Sequence, residues 1–489
     1  MKKHFKKTYA AFGLILSIIL LIPSCAINPV TGKRQLMFVT EEQEIAMGAQ
    51  YHPKVISAFG IYENETLSKF LEEKGTQMGQ LSHRPNLRYH FTILDSPVVN
   101  AFAVPGGYLY FTRGILAQFN SEAELIGVLG HEMGHVTARH TAQQQTNQQL
   151  GELLLVGGMI ASKEIYEMAD EVMAGMQLLF LSFSRENESE SDRLGVEYAT
   201  KMGYDAHKMA DFFAVLDKMS MESSEGGVPT FLSTHPDPKN RFSTVHELTD
   251  EWQAKYPEEK FLVKHDTYLD MIDGIIYGED PRQGYVENNT FYHPGLRFKF
   301  AFPGNWLLVN TPSQVQILSP DKDAGMVFRL SDESTPQAAS QKTMNDLNLS
   351  VINSKATTVN RNEAVAVLSQ QVNQTQNGKE QVTRVLSYFI KKGERVYEFH
   401  GIAGDKDFDK NLVAFESTMQ DFSKLTDQDK INIKPDRIRV RTIENAGTVE
   451  EILTRLQVPK GQFEELALLN NHDLNDRLEE GSRIKIISK

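Results

Sequence analysis

The feature that most constrains this chain is the pentapeptide HEMGH at residues 131–135. On an α-helix each residue turns about 100° from the last, so His131 and His135 lie about 40° apart, on one face. Their imidazoles can therefore converge on a single metal ion, while Glu132 lies beside that ion, where a general base would act. The S-x-x-E spacing at residues 121–124 is typical of a capping box and predicts the start of this helix. The alternative is a buried helix with two incidental histidines.

A catalytic zinc site needs a third protein ligand and one open position. The candidates lie in the segment SRENESESDRLG at residues 184–195, which we predict to be a second helix. Glu188 and Asp192 are four residues apart and share a helix face, so Glu188 is the predicted carboxylate ligand. Asp192 is predicted to accept the ring N–H of a ligating histidine and so fix its tautomer. Glu186 and Glu190 have the same spacing, so a register error of two residues is one alternative, and a solvated acidic face is another.

Two further histidines require an interpretation. His140 follows His135 by five residues, so we predict that it lies on the far side of the helix and caps or packs near its end. His235 precedes prolines just outside a predicted helix that contains Arg241. Its ring either donates a hydrogen bond to a tetrahedral oxyanion, fills the fourth zinc position in a resting enzyme, or is only structural. Arg241 is predicted to pair with an acid.

The HEMGH motif followed by Glu188 and Asp192 resembles the gluzincin type of metallopeptidase. Within that type, the chain resembles the family that contains the CAAX prenyl endopeptidases, the HtpX heat-shock proteases and the periplasmic β-barrel assembly-enhancing protease. Ser191 stands where that family usually has alanine. Roughly residues 26–283 share the resemblance, which also rests on three short segments: CAINPVTG at 25–32, NAFAVPGG at 100–107 and THP at 234–236.

The resemblance implies a zinc endopeptidase whose substrates are unfolded or misassembled envelope proteins. Zinc held by two imidazoles and one carboxylate would activate a water molecule, and Glu132 would accept its proton. The competing class is a non-catalytic envelope chaperone or peptidoglycan-binding scaffold with a structural zinc. Glu132 argues against that class, because a structural zinc site has no use for a general base.

The N-terminus predicts export and lipidation. Residues 1–24 combine four lysines with an apolar stretch too short to span a bilayer, which is typical of a signal peptide. Cys25 ends a lipobox-like IPSC and is the only cysteine, so we predict that it is acylated and that no internal disulfide forms. Ala26, in place of the aspartate associated with inner-membrane retention, favours the periplasmic face of the outer membrane.

The charge balance excludes one class of partner. The net charge is −13, and removal of residues 1–24 deletes four lysines and no acids, which leaves −17. No basic patch is evident beyond the N-terminus, so nucleic acid is not an expected partner. An acidic chain does not bind anionic lipid through its bulk charge, so acyl chains at Cys25 are the expected membrane anchor.

We predict a multidomain chain, because 489 residues exceed a single core. After the signal peptide at 1–24, residues 25–284 form a mainly helical zincin-type peptidase domain with a small edge sheet. Residues 285–424 form an α/β accessory domain on an antiparallel sheet. Residues 435–489 resemble a LysM domain, a small β-α-α-β fold that often binds peptidoglycan.

Two local features leave alternatives open. The strand predicted at residues 108–111 either borders the cleft and pairs with an extended substrate or is an ordinary sheet edge. Methionines at positions from Met159 to Met176 favour core packing of a helix pair, with a mobile lid over the cleft as the minority alternative.

Overall fold

The computed structural model describes residues 25–144, 177–179, 182–222, 230–235, 238–374 and 380–489. The predicted signal peptide at 1–24 and the methionine-rich stretch at 159–176 lie outside these residues, and acylation of Cys25 stays a prediction. Within the described ranges, no helix combines the length and apolarity needed to cross a membrane.

The N-terminal half is mainly helical, as predicted. Thr40 and Gln43 form the capping box expected from their spacing. At the helix that carries HEMGH, the Ser121 side chain accepts from the backbone N–H of Glu124, as predicted. The Glu124 carboxylate, however, accepts from the backbone N–H of Asn120 at 2.7 Å. The described helices of this half are α1 (Glu41–Phe59), α2 (Glu65–Leu81), α3 (Arg113–Gln118), α4 (Glu122–Thr137), α5 (Arg185–Lys201), α6 (His207–Glu222), α7 (Thr230–Thr234), α8 (Pro238–Gln253) and α9 (His265–Ile272).

A three-stranded sheet borders α4. After the short pair β1 (Cys25–Ile27) and β2 (Arg34–Leu36) come β3 (His90–Leu94), β4 (Ala101–Val104) and β5 (Tyr108–Thr112). The order is β3–β5–β4, with β3 and β5 parallel and β4 antiparallel to β5. The strand predicted at 108–111 is therefore confirmed. Both interpretations of it as a sheet edge, substrate-pairing or ordinary, are wrong, because β5 is hydrogen-bonded on both sides and β3 and β4 are the outer strands.

Close contact between α4 and α5 depends on glycine. A Cβ atom on Gly130 would lie 2.9 Å from the carbonyl oxygen of Gly195, and one on Gly134 would lie 3.0 Å from Cα of Ser191. The first distance is too short for any side chain and the second is tighter than most Cβ contacts, so α5 approaches the HEMGH turn this closely because both positions lack a side chain. This packing carries the acidic face of α5 to the two histidines of α4.

The accessory domain is built on an antiparallel sheet, as predicted. Its seven strands run in the order β12–β13–β14–β15–β11–β10–β9, beside a four-stranded sheet in the order β16–β8–β7–β6. Sequence reasoning did not include α10 or β12. The elements are β6 (Tyr285–Glu287), β7 (Thr290–His293), β8 (Phe298–Ala301), β9 (Leu307–Asn310), β10 (Gln314–Leu318), β11 (Ala324–Leu330), α10 (Pro336–Asp346), β12 (Ser350–Val359), β13 (Asn362–Gln374), β14 (Glu380–Lys392), β15 (Arg395–Gly404), α11 (Asp405–Asp421) and β16 (Ser423–Lys424).

The C-terminal residues have the predicted β-α-α-β order. A short helix, α12 (Gln428–Ile431), precedes this unit, whose elements are β17 (Arg437–Thr442), β18 (Gly447–Thr448), α13 (Val449–Arg455), α14 (Phe463–Leu469), β19 (Arg477–Leu478) and β20 (Arg483–Ser488). The outer strands β17 and β20 pair antiparallel. Ile438 and Ile484 belong to the same buried cluster as Phe119 and Met209, so the C-terminal unit shares its core with the helical half. Its identity as a LysM domain stays a prediction.

Candidate metal centre

Three of the predicted side chains converge as the helix geometry requires. Nε2 of His131 lies 3.1 Å from Nε2 of His135. Oε2 of Glu188 lies 3.4 Å from Nε2 of His131, and Oε1 of Glu188 lies 3.5 Å from Nε2 of His135. All three side chains are buried. Together with His235 they form a group whose ligand atoms lie within 4.8 Å of one another.

The donor set fits zinc. Imidazole nitrogen and carboxylate oxygen are usual zinc ligands, and tetrahedral bonds of about 2.0–2.1 Å place neighbouring ligand atoms about 3.3 Å apart. The distances among His131, His135 and Glu188 match that spacing. Burial holds the pKa of His135 well below its ordinary value, which favours the neutral ring that a metal requires. The pKa of Glu188 is well below normal despite its burial, because His235, His131 and Arg241 surround it.

Glu132 lies inside the same cluster but has no partner for its oxygens. Both carboxylate oxygens are buried and without a hydrogen bond. Nε2 of His235 lies 3.5 Å from Oε1 of Glu132. Burial raises the pKa of Glu132. A buried carboxylate with free oxygens is costly to the fold, and it is the arrangement expected of a group that receives a proton during a reaction.

Asp192 lies behind His131, on the side away from the cluster. Its Oδ1 is 2.9 Å from Nδ1 of His131, so an N–H at that position donates to the carboxylate and Nε2 faces the cluster. Arg241 donates to both oxygens of Asp192, from Nε at 2.9 Å and from Nη2 at 2.6 Å. The prediction that Arg241 pairs with an acid is confirmed. Its guanidinium also lies 4.1 Å from the ring centre of Phe213.

His235 reaches into the cluster itself. Its backbone N–H donates to the carbonyl of Phe231 at 2.8 Å, which places His235 directly at the end of α7. Nδ1 lies 3.1 Å from each oxygen of Glu188 and 3.2 Å from Nε2 of His131. These are the same separations as those among the other donors. The ring stacks on Phe231, with centroids 4.4 Å apart.

His140 packs near the end of α4, as predicted, but the prediction that it lies on the far side of the helix is wrong. Helix α4 ends at Thr137, and Arg139 has a φ of 63°, so the chain turns back instead of continuing the helix. His140 Nδ1 consequently lies 3.0 Å from Nδ1 of His135, and its Nε2 lies 3.2 Å from Glu190. His140 thus supports His135 much as Asp192 supports His131. No helical spacing could have shown this contact, because it depends on one left-handed residue.

The alternative acidic pair does not form the site. Glu186 is exposed in the first turn of α5, whereas Glu190 is bound by His140. Sequence reasoning also missed Phe183, which stacks on His135 with ring centroids 4.0 Å apart. It closes one side of the cluster with an apolar surface.

Comparison with known proteins agrees with this geometry. The family model described as peptidase family M48 matches residues 65–249. The chain is 28% identical over 241 residues to the β-barrel assembly-enhancing protease of Yersinia pestis, covering 47% of this chain and 49% of that protein. It is 26% identical over 235 residues to the Escherichia coli (strain K12) protein of the same name, covering 45% and 47%. It is 30% identical over 207 residues to mitochondrial metalloendopeptidase OMA1 of Arabidopsis thaliana, covering 42% and 39%. The chain therefore spans about half the length of the first two relatives and less of the third.

Proposed function

We propose that this chain is a zinc-dependent endopeptidase of the bacterial envelope, on the premise that residues 65–249 match the model of peptidase family M48. The observation that carries the proposal is the unpartnered, buried Glu132 beside three side chains whose donor atoms have zinc-ligand spacing. A structural zinc site would require the ligands but not this carboxylate.

His131, His135 and Glu188 would hold the ion. Zinc bound in this way lowers the pKa of water to about 7 and polarises a carbonyl group. Glu132 takes the proton of the attacking water and later delivers it to the leaving amine. Asp192 keeps the donor nitrogen of His131 directed at the cluster, and Arg241 keeps Asp192 in place.

For His235, the contacts favour the interpretation as a fourth ligand over that of an oxyanion donor. Its Nδ1 lies among the other donor atoms, at the distance from Glu188 expected of a ligand that shares the same ion. The resting site would then be closed by its own chain, and His235 would have to withdraw before substrate binds. The variant His235→Ala should raise proteolysis if the ring blocks the site. A fall in activity would support the oxyanion role instead.

The proposed substrates are unfolded or misassembled envelope proteins. The support is the name of the bacterial relatives, which describes proteins that assist β-barrel assembly. Acylation at Cys25 would anchor the enzyme, with the periplasmic face of the outer membrane as the proposed location. Peptidoglycan binding by residues 435–489 rests on the LysM resemblance and would be tested by co-sedimentation with insoluble peptidoglycan.

The direct test of the proposed activity compares Glu132→Gln with the unchanged protein. We expect the variant to bind zinc normally and to digest unfolded casein at least ~10²-fold more slowly, the scale of lost general-base help. A chelator should abolish digestion by the unchanged protein. The matched control is Glu186→Gln, an exposed carboxylate near the start of α5. Equal digestion by all three proteins would rule out Glu132 as the general base, and no digestion by any of them would support the chaperone or scaffold function.

A further inference from the structure

Beyond the metal centre, the fold assembles a basic pocket that sequence reasoning did not foresee. The expectation of no basic patch beyond the N-terminus is wrong, because residues far apart in sequence meet where the helical half, the linker and the C-terminal unit join. The pocket has a volume of about 270 Å³, and no acidic side chain is among the described residues that line it. Five cationic side chains line it: Arg282, Lys434, Arg437, Arg439 and Lys489.

Two arginine side chains of this pocket lie close to a single glycine, and one of them is hydrogen-bonded to it. Arg437 donates from Nη1 to the carbonyl oxygen of Gly274. Nη1 of Arg439 lies 3.1 Å from the position that a Cβ atom on Gly274 would occupy. The two arginines are two positions apart on β17, so their side chains lie on the same face of the strand. A larger residue in place of Gly274 would displace one of them.

The positive charge of the pocket is only partly balanced within the chain. Asp280 binds Arg282, with Oδ2 2.6 Å from Nη2. Within the described residues, no ion pair is formed by Lys434, Arg437 or Arg439. This is unexpected in a chain that has more acidic than basic residues. Gathering like charges without counter-charges destabilises the folded chain, and a bound anion would offset this repulsion.

We propose that this pocket binds a phosphate-bearing ligand. Guanidinium groups match the geometry of phosphate oxygens and bind them in a bidentate manner. Free phosphate carries about 1.5–2 negative charges at pH 7, which suits several unpaired cations better than a single carboxylate does. The phosphodiester headgroup of an anionic phospholipid carries one negative charge, and it offers guanidinium groups the same kind of phosphate oxygens. The site is independent of the metal centre and of the proposed proteolysis.

The test is calorimetric titration of the full chain with two probes. One is inorganic phosphate, and the other is dihexanoylphosphatidylglycerol below its micelle concentration, with dihexanoylphosphatidylcholine as the zwitterionic reference. We expect at least one probe to bind, and the double variant Arg437→Gln/Arg439→Gln to weaken it about 10-fold or more. Tighter binding of the lipid identifies a headgroup site, and tighter binding of phosphate identifies a free-anion site.

The matched control removes the same charge elsewhere on the C-terminal unit. Lys460→Gln/Arg477→Gln alters two exposed cations outside the pocket, and binding should be unchanged. If the arginine variant does not fold, Lys434→Gln/Lys489→Gln replaces two exposed cations of the same pocket and tests the same expectation. The proposal is overturned if neither probe binds, or if the pocket variant and the control bind alike.

Discussion

Asp192 and His131 are joined by a 2.9 Å contact between Oδ1 of the carboxylate and Nδ1 of the ring. Because the ring N–H is directed at Asp192, the other nitrogen is left with its lone pair toward the cluster. We therefore expect Asp192→Ala to weaken zinc affinity ~10–100-fold, measured by competition with a chromogenic chelator.

The control for that variant is Asp280→Ala, which also removes a buried aspartate paired with an arginine, but outside the metal cluster. It should leave zinc affinity unchanged. If Asp192→Ala binds zinc as tightly as this control, Asp192 has no role in directing His131.

A second prediction concerns Arg241, which is buried against Asp192. Removing one partner of such a pair leaves an uncompensated charge, so Arg241→Met should lower the free energy of unfolding by roughly 3 kcal/mol. Urea denaturation followed by circular dichroism measures the change. The double variant Arg241→Met/Asp192→Leu should recover part of the loss, because an apolar pair replaces the ionic one. A single variant as stable as the unchanged protein would contradict this interpretation.

The parts of the site that follow from local helix geometry could be predicted from sequence. His131 and His135 share a face, and so do Glu188 and Asp192, because four residues make about one turn. That one face meets the other depends on tertiary packing at Gly130, which no spacing within either helix shows. The contact of His140 with His135 was out of reach, since it follows from the single left-handed residue at the end of α4.

In the fold, too, local elements can be predicted from sequence, whereas tertiary contacts cannot. Helix α10 was missed although Thr335 and Pro336 carry its start signal, a capping side chain followed by proline at the first helical position. The basic pocket could not be read from composition, because its cations come from three separate segments of the chain. The docking of the C-terminal unit on the helical half likewise depends on tertiary contacts that no local sequence pattern predicts.

A third prediction concerns that docking, which centres on Lys485. Its ammonium group is buried and donates to the backbone carbonyls of Ala117, Gln118 and Phe119 at 3.0–3.1 Å, at the C-terminal end of α3. Lys485→Met leaves the carbonyls of Ala117 and Phe119 without this donor, at about 1–3 kcal/mol for each group, whereas the carbonyl of Gln118 keeps its bond from the Asn120 side chain. Hydrogen exchange of β17 and β20 should accelerate as the C-terminal unit detaches.

The control for that measurement is Lys460→Met, which alters an exposed lysine of the same unit away from these docking contacts. Its exchange rates should match those of the unchanged protein. Full protection of β17 and β20 in the Lys485 variant would show that apolar packing alone holds the unit in place.

A fourth prediction concerns acid stability of the accessory domain. His400 is buried, with Nδ1 2.9 Å from Oγ of Ser387 and Nε2 3.3 Å from Oε2 of Glu398. Burial lowers the pKa of His400 below its ordinary value, so the folded state binds a proton less readily than the unfolded state. Its stabilising contribution is complete above about pH 6.5 and declines as the pH falls below that value.

Glu398 adds to the same trend at lower pH. Burial opposes its ionisation, but His400 and Arg329 outweigh burial and hold its pKa at about 2. That contribution is present above the unfolded value of about 4.3 and is lost as the pH falls toward 2. His293, whose pKa burial lowers to about 4, also disfavours acid.

Trp306 reports on this domain, since it is nearly buried and packs edge-on against Phe415. In a Trp252→Phe background, urea unfolding followed by Trp306 fluorescence should show stability falling from pH 7 to pH 5. His400→Gln should reduce this dependence of the free energy of unfolding on pH. His293→Gln tests the contribution of the second histidine in the same way. An unchanged slope in the His400 variant would contradict the prediction.

The metal content of the purified chain tests the proposed centre most directly. Mass spectrometry of the unchanged protein, Glu188→Gln and Glu186→Gln should find one zinc ion per chain in the first and third. Glu188→Gln should lose most of its zinc on dialysis, because one of three proposed ligands is gone. An unchanged protein without zinc, or a Glu188 variant that retains zinc as firmly as the Glu186 variant, would contradict the assignment of His131, His135 and Glu188 as its ligands.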